Sequence, residues 1–143
     1  MLDLCRERVA AGGFAARVAL HATDLAHFES DEVFDAATAI LVSQHLPDVE
    51  AAQFFVAIAA RLAPRARLYS ADLHIAAGQD RERMLALWRA QAEMAGNEPD
   101  LLDGMMEKFR GEIRPRDESE ILALFAGAGF TDVLKPFSSL LYG

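Results

Sequence analysis

A chain of 143 residues suffices for one domain with a buried core, and its 52% hydrophobic and 25% charged residues are an ordinary globular balance. No apolar run reaches the roughly 18 residues of a membrane span, so no membrane partner is expected. A net charge of −8 speaks against a nucleic-acid partner, which gains affinity by neutralising phosphates.

The amino end, Met1 to Arg8, is interrupted by charges where a signal peptide has its apolar stretch. Cys5 stands alone, so no internal disulfide can form, and a reducing, cytoplasmic setting is expected. Residues 3–11 read as the end of an amphipathic helix stopped by Gly12-Gly13. Arg17 to His21 alternates charged and apolar residues and predicts a short strand (17–22) leading into a polar turn at Ala22-Thr23-Asp24-Leu25. The nearly unbroken apolar run from Phe34 to Val42 predicts a central parallel strand, buried on both faces. Asp48 is the expected N-cap of a helix carrying Ala52, Phe55, Val56, Ala59 and Leu62 on one face and ended by Pro64.

Arg67 to Leu73 predicts the next strand, followed by helices over residues 79–95 and 99–109 separated by Gly96-Asn97. The spacing of Asp117 and Glu120 predicts a capping box on a further helix that stops between Gly127 and Gly129. Phe130 to Leu134 and Phe137 to Tyr142 are expected to form a closing antiparallel pair. Strands alternating with helices imply an α/β sheet with helices on both faces, in one domain spanning 1–143. Arg110, Arg114 and Arg116, interleaved with Glu112, Asp117 and Glu118, read as a solvated helix-loop surface, which leaves a small molecule as the expected substrate.

Taken in order, four segments carry a resemblance. They are Thr23-Asp24-Leu25; Phe34-Asp35-Ala36 with its apolar strand and the turn Ser43-Gln44-His45-Leu46-Pro47-Asp48; Arg61-Leu62-Ala63-Pro64-Arg65-Ala66-Arg67-Leu68; and Phe125-Ala126-Gly127-Ala128-Gly129-Phe130-Thr131-Asp132-Val133. Together they resemble the class I S-adenosylmethionine-dependent methyltransferases (domain types 11 and 12) from the helix after the second strand onward. Glu112 to Gly143 is most similar to the carboxy-S-adenosylmethionine synthase and tRNA-uridine branch and its small-molecule relatives. In the third segment Arg65 and Ala66 stand where the family has two glycines, which affects a turn rather than chemistry.

The resemblance implies a Rossmann-like sheet lacking its first two strands. Residues 79–116 would form a helical insert, or lid, after strand five, ahead of the closing pair. The family's Gly-x-Gly-x-Gly turn and the acid that holds the ribose are missing, and Gly12-Gly13 follows a helix and cannot serve. The chain is expected to be amino-terminally truncated, and to end before its last strand is complete. The missing strands would lie between residues 17–22 and 34–42, leaving an apolar edge. Poor folding, domain swapping or a homodimer, or origin as a fragment of a longer protein would follow.

The implied activity is transfer of a methyl group from S-adenosylmethionine to a small-molecule acceptor, with S-adenosylhomocysteine as product. Asp24 is implied to accept from the adenine amino group, or else it is a polar turn residue; Leu25 would lie beside the adenine. Ile40, Leu41 and Ser43 would line the methionine half of the cofactor, with sheet core as the other reading for Leu41. His45 has the side chain of a general base, although methyl transfer depends mostly on alignment. Tyr69 with Asp72, and Trp88, Met105 and Phe109, would border the acceptor pocket, and helix-packing core is the alternative for the last three. His21, His27 and His74 have no ligand spacing, so no metal is expected. Two other functions stay open: a non-catalytic half-domain acting through oligomerisation, and another Rossmann-type enzyme using a nicotinamide.

Overall fold

The computed structural model describes residues 1–75 and 78–138, and the chain divides into two compact units, Met1–Asp31 and Glu32–Gly143. In the first unit, helix α1 (Leu2–Ala11) ends as expected at the glycine pair. Gly13 adopts φ +73, and the Gly13 and Phe14 amides donate back to Ala10 O (3.0 Å) and Val9 O (2.9 Å). These two bonds satisfy carbonyls that the helix end would leave unpaired. The strand expected over 17–22 does not form; a 3₁₀ turn covers Ala15–Arg17, and residues 18–22 are irregular. Alternation alone cannot hold a strand, because its backbone groups need a neighbouring edge. The polar turn at Asp24 is present, with the His27 amide donating to Asp24 Oδ1 at 2.9 Å.

The second unit is a β-α-β crossover followed by three helices. Strand β1 (Phe34–Ile40) leads through a 3₁₀ turn (Ser43–His45) into α2 (Asp48–Ala59), and β2 (Leu62–Ala71) returns parallel to β1. Helices α3 (Arg81–Met94), α4 (Pro99–Gly111) and α5 (Glu118–Gly127) follow. Among the described residues this gives a mixed α/β fold with five α-helices and a two-stranded parallel sheet.

Both boundaries of α2 differ from expectation. The N-cap of α2 is Pro47, and Asp48 is the first helical residue, its carboxylate drawn to Arg116 and Arg114 instead of the helix amides. Pro64 does not end α2, which stops at Ala59; it lies inside β2, where the register jumps from Phe34↔Leu62 to Ala36↔Arg67. In that irregular stretch a missing N–H costs no ladder bond. Arg65, beside it, takes φ 70, the left-handed conformation that favours glycine.

Burial on both faces of β1 is not found. Ala37 with Leu68, and Ala39 with Ser70, lie on a covered face, whereas Thr38 with Tyr69, and Ile40, lie on an open one. Ile40 is 56% and Tyr69 54% exposed. Parallel strands are normally covered on both sides, and two strands cannot enclose themselves.

Below the sheet, α2 and α5 meet through Phe55 and Phe125, whose rings are edge to face at 5.0 Å. The capping box is as expected: Asp117 accepts from the Glu120 amide, and the Glu120 carboxylate accepts from the Asp117 amide. At the other end Gly129 takes φ +89, and the Phe130 amide donates to Phe125 O at 3.0 Å with the two rings in contact. The Ala128-Gly129-Phe130 signature is therefore a helix stop, with a hydrophobic contact locking it. Phe130 to Leu134 is not a strand; Phe137 and Ser138 are irregular, and residues 139–142 of the expected closing pair lie outside the described residues.

Helices α3 and α4 form a hairpin with its own core. Leu85, Trp88, Leu102, Met106 and Phe109 are all buried there, with Leu73 and Ile113 at its base. Trp88 and Phe109 pack edge to face at 4.7 Å. Outside, Arg89 pairs with Asp103, and Arg110 with Glu82 at 2.9 Å.

Candidate functional site

Parallel strands deliver their polar turns to one end of the sheet, so the residues after β1 and after β2 meet there. Leu41, just past β1, adopts φ 56 while its amide donates to Ala71 O at 2.7 Å. A left-handed leucine is a strained residue, held here by pairing on one side and the 3₁₀ turn on the other. The strain redirects the chain so that Ser43 and Gln44 point inward, both buried, while Ile40, Leu41 and Val42 stay 56%, 40% and 36% exposed.

The inward side chains converge on Asp72. Ser43 Oγ donates to Asp72 Oδ2 at 2.6 Å, and the Gln44 amide lies 3.5 Å from Oδ1. Burial, opposed by those donors and by Arg116 nearby, raises the Asp72 carboxyl above its usual range. Gln44 Oε1 accepts from the Leu73 amide at 2.9 Å, which leaves Gln44 Nε2 as a donor facing His45 Nε2 at 3.3 Å. That donor lies within reach of His45 Nε2 as an acceptor.

Arg116 completes the cluster from the segment before α5. Its Nη1 donates to Ser43 O at 2.7 Å, and its Nη2 to Leu46 O at 2.7 Å and to Asp48 Oδ1 at 3.1 Å. The expectation of a solvated arginine surface holds for Arg110 and Arg114 but not for Arg116, which is 5% exposed. Its bonds span about seventy positions of sequence, beyond the reach of any local pattern. Beside it, His74 forms a parallel bridge with Arg116, and His74 Nε2 lies 3.2 Å from Lys135 Nζ, which also pairs with Glu118. Burial, with Lys135 close by, pushes the His74 imidazole below its ordinary range.

Of the expected site residues, Ile40, Leu41, Ser43 and His45 gather at this end of the sheet. Ser43 is fully buried and committed to Asp72, so it supports the turn from behind. Tyr69 lies within β2 on the open face. Trp88 and Phe109 turn their rings toward each other inside the hairpin, with half-buried Met105 packed against that core. Asp24 and Leu25 belong to the first unit, where the exposed Asp24 carboxylate is held below its usual range by the His27 hydrogen bond. Gln44 and Arg116 are what sequence reasoning left out or underweighted; Asp72, expected to border the acceptor pocket, is buried against Ser43 and Gln44.

A cavity of about 360 Å³ opens between α2 and α5, lined by Asp48, Val56, Arg116, Glu120 and Leu124. One of about 600 Å³ lies against the hairpin, where Glu82, Arg89, Asp103 and Arg110 already satisfy one another. Among the described residues no three His, Cys, Asp or Glu side chains are grouped to hold a metal ion, and no helix is long and apolar enough to cross a membrane.

No protein-family model matches the sequence, and no curated protein matches it. The fold is similar to that of the S-adenosylmethionine-dependent methyltransferase SibL in its apo form, with a TM-score of 0.68 at 16% identity. The likeness covers 99% of this chain and 38% of that one, so the chain spans well under half of its neighbour's length.

Proposed function

We propose that the chain is the carboxyl-terminal part of a class I methyltransferase, transferring a methyl group from S-adenosylmethionine to a small-molecule acceptor. The observation that carries this reading is the crossover β1–turn–α2–β2, in a fold similar to that methyltransferase, with its strained turn and polar cluster at the carboxyl ends of the strands. The sheet is read as the family's fourth and fifth strands, the α3–α4 hairpin as the insert, and both units as parts of one domain.

The residues fit the methionine half of the cofactor. Ile40, Leu41 and Val42 offer exposed apolar surface beside a strained backbone, and His45 is exposed at the same turn. Asp24 and Leu25 are assigned to the adenine, Tyr69, Trp88, Met105 and Phe109 to the acceptor side, and Ser43 to fixing the turn. S-adenosylmethionine supplies an electrophilic methyl group on sulfur. The chain's own part is alignment, with His45 receiving the acceptor's proton at Nε2 once Gln44 gives that nitrogen up.

The test is calorimetric titration of this chain with S-adenosylhomocysteine. Micromolar binding that weakens about tenfold or more in Asp24→Ala is expected; a folded chain with no affinity would sink the reading. A second reading, a half-domain that works by pairing with another chain, is favoured by the open sheet face around Ile40 and Tyr69. Sedimentation showing a stable oligomer without cofactor affinity would select it.

A further inference from the structure

We infer that Arg116 is a positioning residue for the cofactor turn, acting from the far end of the hairpin through the carbonyls of Ser43 and Leu46. The inference rests on the proposal that this turn faces the methyl donor. A 3₁₀ turn of three residues has few bonds of its own. Within it the His45 amide donates to Val42 O at 3.1 Å and the Leu46 amide to Ser43 O at 3.0 Å. One guanidinium then binds the carbonyls on either side of His45, and Asp48 fixes its direction.

Neighbouring bonds keep the arrangement in register. The Arg114 amide donates to Gln44 O at 2.8 Å, and the Ile75 amide reaches Arg116 O at 3.4 Å. Residues 113–116 thus lie between the turn and the end of β2, and Arg116 is their charged side chain that enters the turn. A planar fork can satisfy several acceptors at fixed angles, which an ammonium cannot. Taking such a cation out of water is costly, and here it is spent on the geometry of a loop rather than on a buried carboxylate.

Two readouts on the intact chain separate this role from mere stability. Amide hydrogen exchange reads the turn without any ligand, and titration with S-adenosylhomocysteine reads the site. In Arg116→Gln the His45 and Leu46 amides should exchange about tenfold faster while α4 amides hold, and cofactor-product affinity should fall about tenfold. Arg116→Lys should recover part of the affinity. Leu102→Ala is the control: Leu102 is buried inside the hairpin core, so its loss destabilises the chain away from the turn.

Unchanged exchange at the turn would overturn the inference, as would an equal loss of affinity in Leu102→Ala at the same melting temperature. Faster exchange in Arg116→Gln, in a wild-type chain that binds no S-adenosylhomocysteine, would overturn the cofactor reading and with it this role for Arg116. Should Arg116→Gln fail to fold, Asp48→Asn keeps an acceptor oxygen but removes the charge that pairs with the same guanidinium. It should weaken binding by about threefold, and no weakening would count against the inference.

Discussion

The α3–α4 hairpin and the two-stranded sheet solve the same problem to different extents. The hairpin encloses its apolar residues between two helices, with Leu85 and Leu102 at 2% and 1% exposure. The sheet covers one face and leaves Ile40, Tyr69 and Arg67 on the other. Two amphipathic helices can close on each other, because each needs to bury only one stripe. A parallel sheet has two faces and two edges to satisfy, so it depends on elements beyond its own pair.

The largest test of that contrast is a pair of substitutions. Leu102→Ala should cost about 2–5 kcal/mol, since it leaves a cavity in a closed core, whereas Ile40→Thr should change stability by no more than about 0.5 kcal/mol. Chemical denaturation of both variants checks this. If Ile40→Thr proved the costlier, the open face would be covered in solution.

A test of intermediate size concerns Asp72, where sheet and hairpin meet. Its folded carboxyl holds a proton more tightly than its ordinary value of 3.8. Its contribution is therefore fully present below that value and is lost as pH rises through the higher folded value. Relative to Asp72→Asn, the wild-type melting temperature should fall as pH rises above the ordinary value of 3.8, because only the wild type must bury a charge. A difference that stays flat, or that grows in favour of the wild type, would show the carboxylate to be better compensated than its donors suggest. The smallest effect is expected at Arg65 in β2, whose left-handed backbone suits glycine. Arg65→Gly should raise stability by about 1 kcal/mol, and a loss would mean that the arginine side chain contributes more than its backbone costs.

Much of the helical framework was legible in sequence, because its signals are local. The capping box at Asp117 and Glu120, the Gly12-Gly13 stop, and the stop before Phe130 each lie within one helical turn. The strand at 34–40 was legible from its apolar run, although its two-sided burial was not. Residues 17–22 and 130–134 have strand-like alternation and no ladder among the described residues, since a strand is a property of a pair. The site was half legible. His45 and Ile40 to Ser43 follow from their place after a parallel strand, but Asp72, Gln44 and Arg116 meet across separations of 28 to 73 residues. No local periodicity encodes such a meeting, and an arginine among acids looks the same whether it enters a turn or faces water.

The bridge between His74 and Arg116 has a consequence for how this chain can change over time. Among the described residues, His74 and Arg116 bridge where the chain enters and leaves the hairpin, and the buried apolar cluster of the hairpin runs from Leu73 to Ile113. Closing a longer or shorter excursion there would alter the chain's entropy only slowly with length. A hairpin of another length and surface would therefore cost little extra chain entropy at the same bridge, provided that Arg114 and Arg116 still reach Gln44, Ser43 and Leu46.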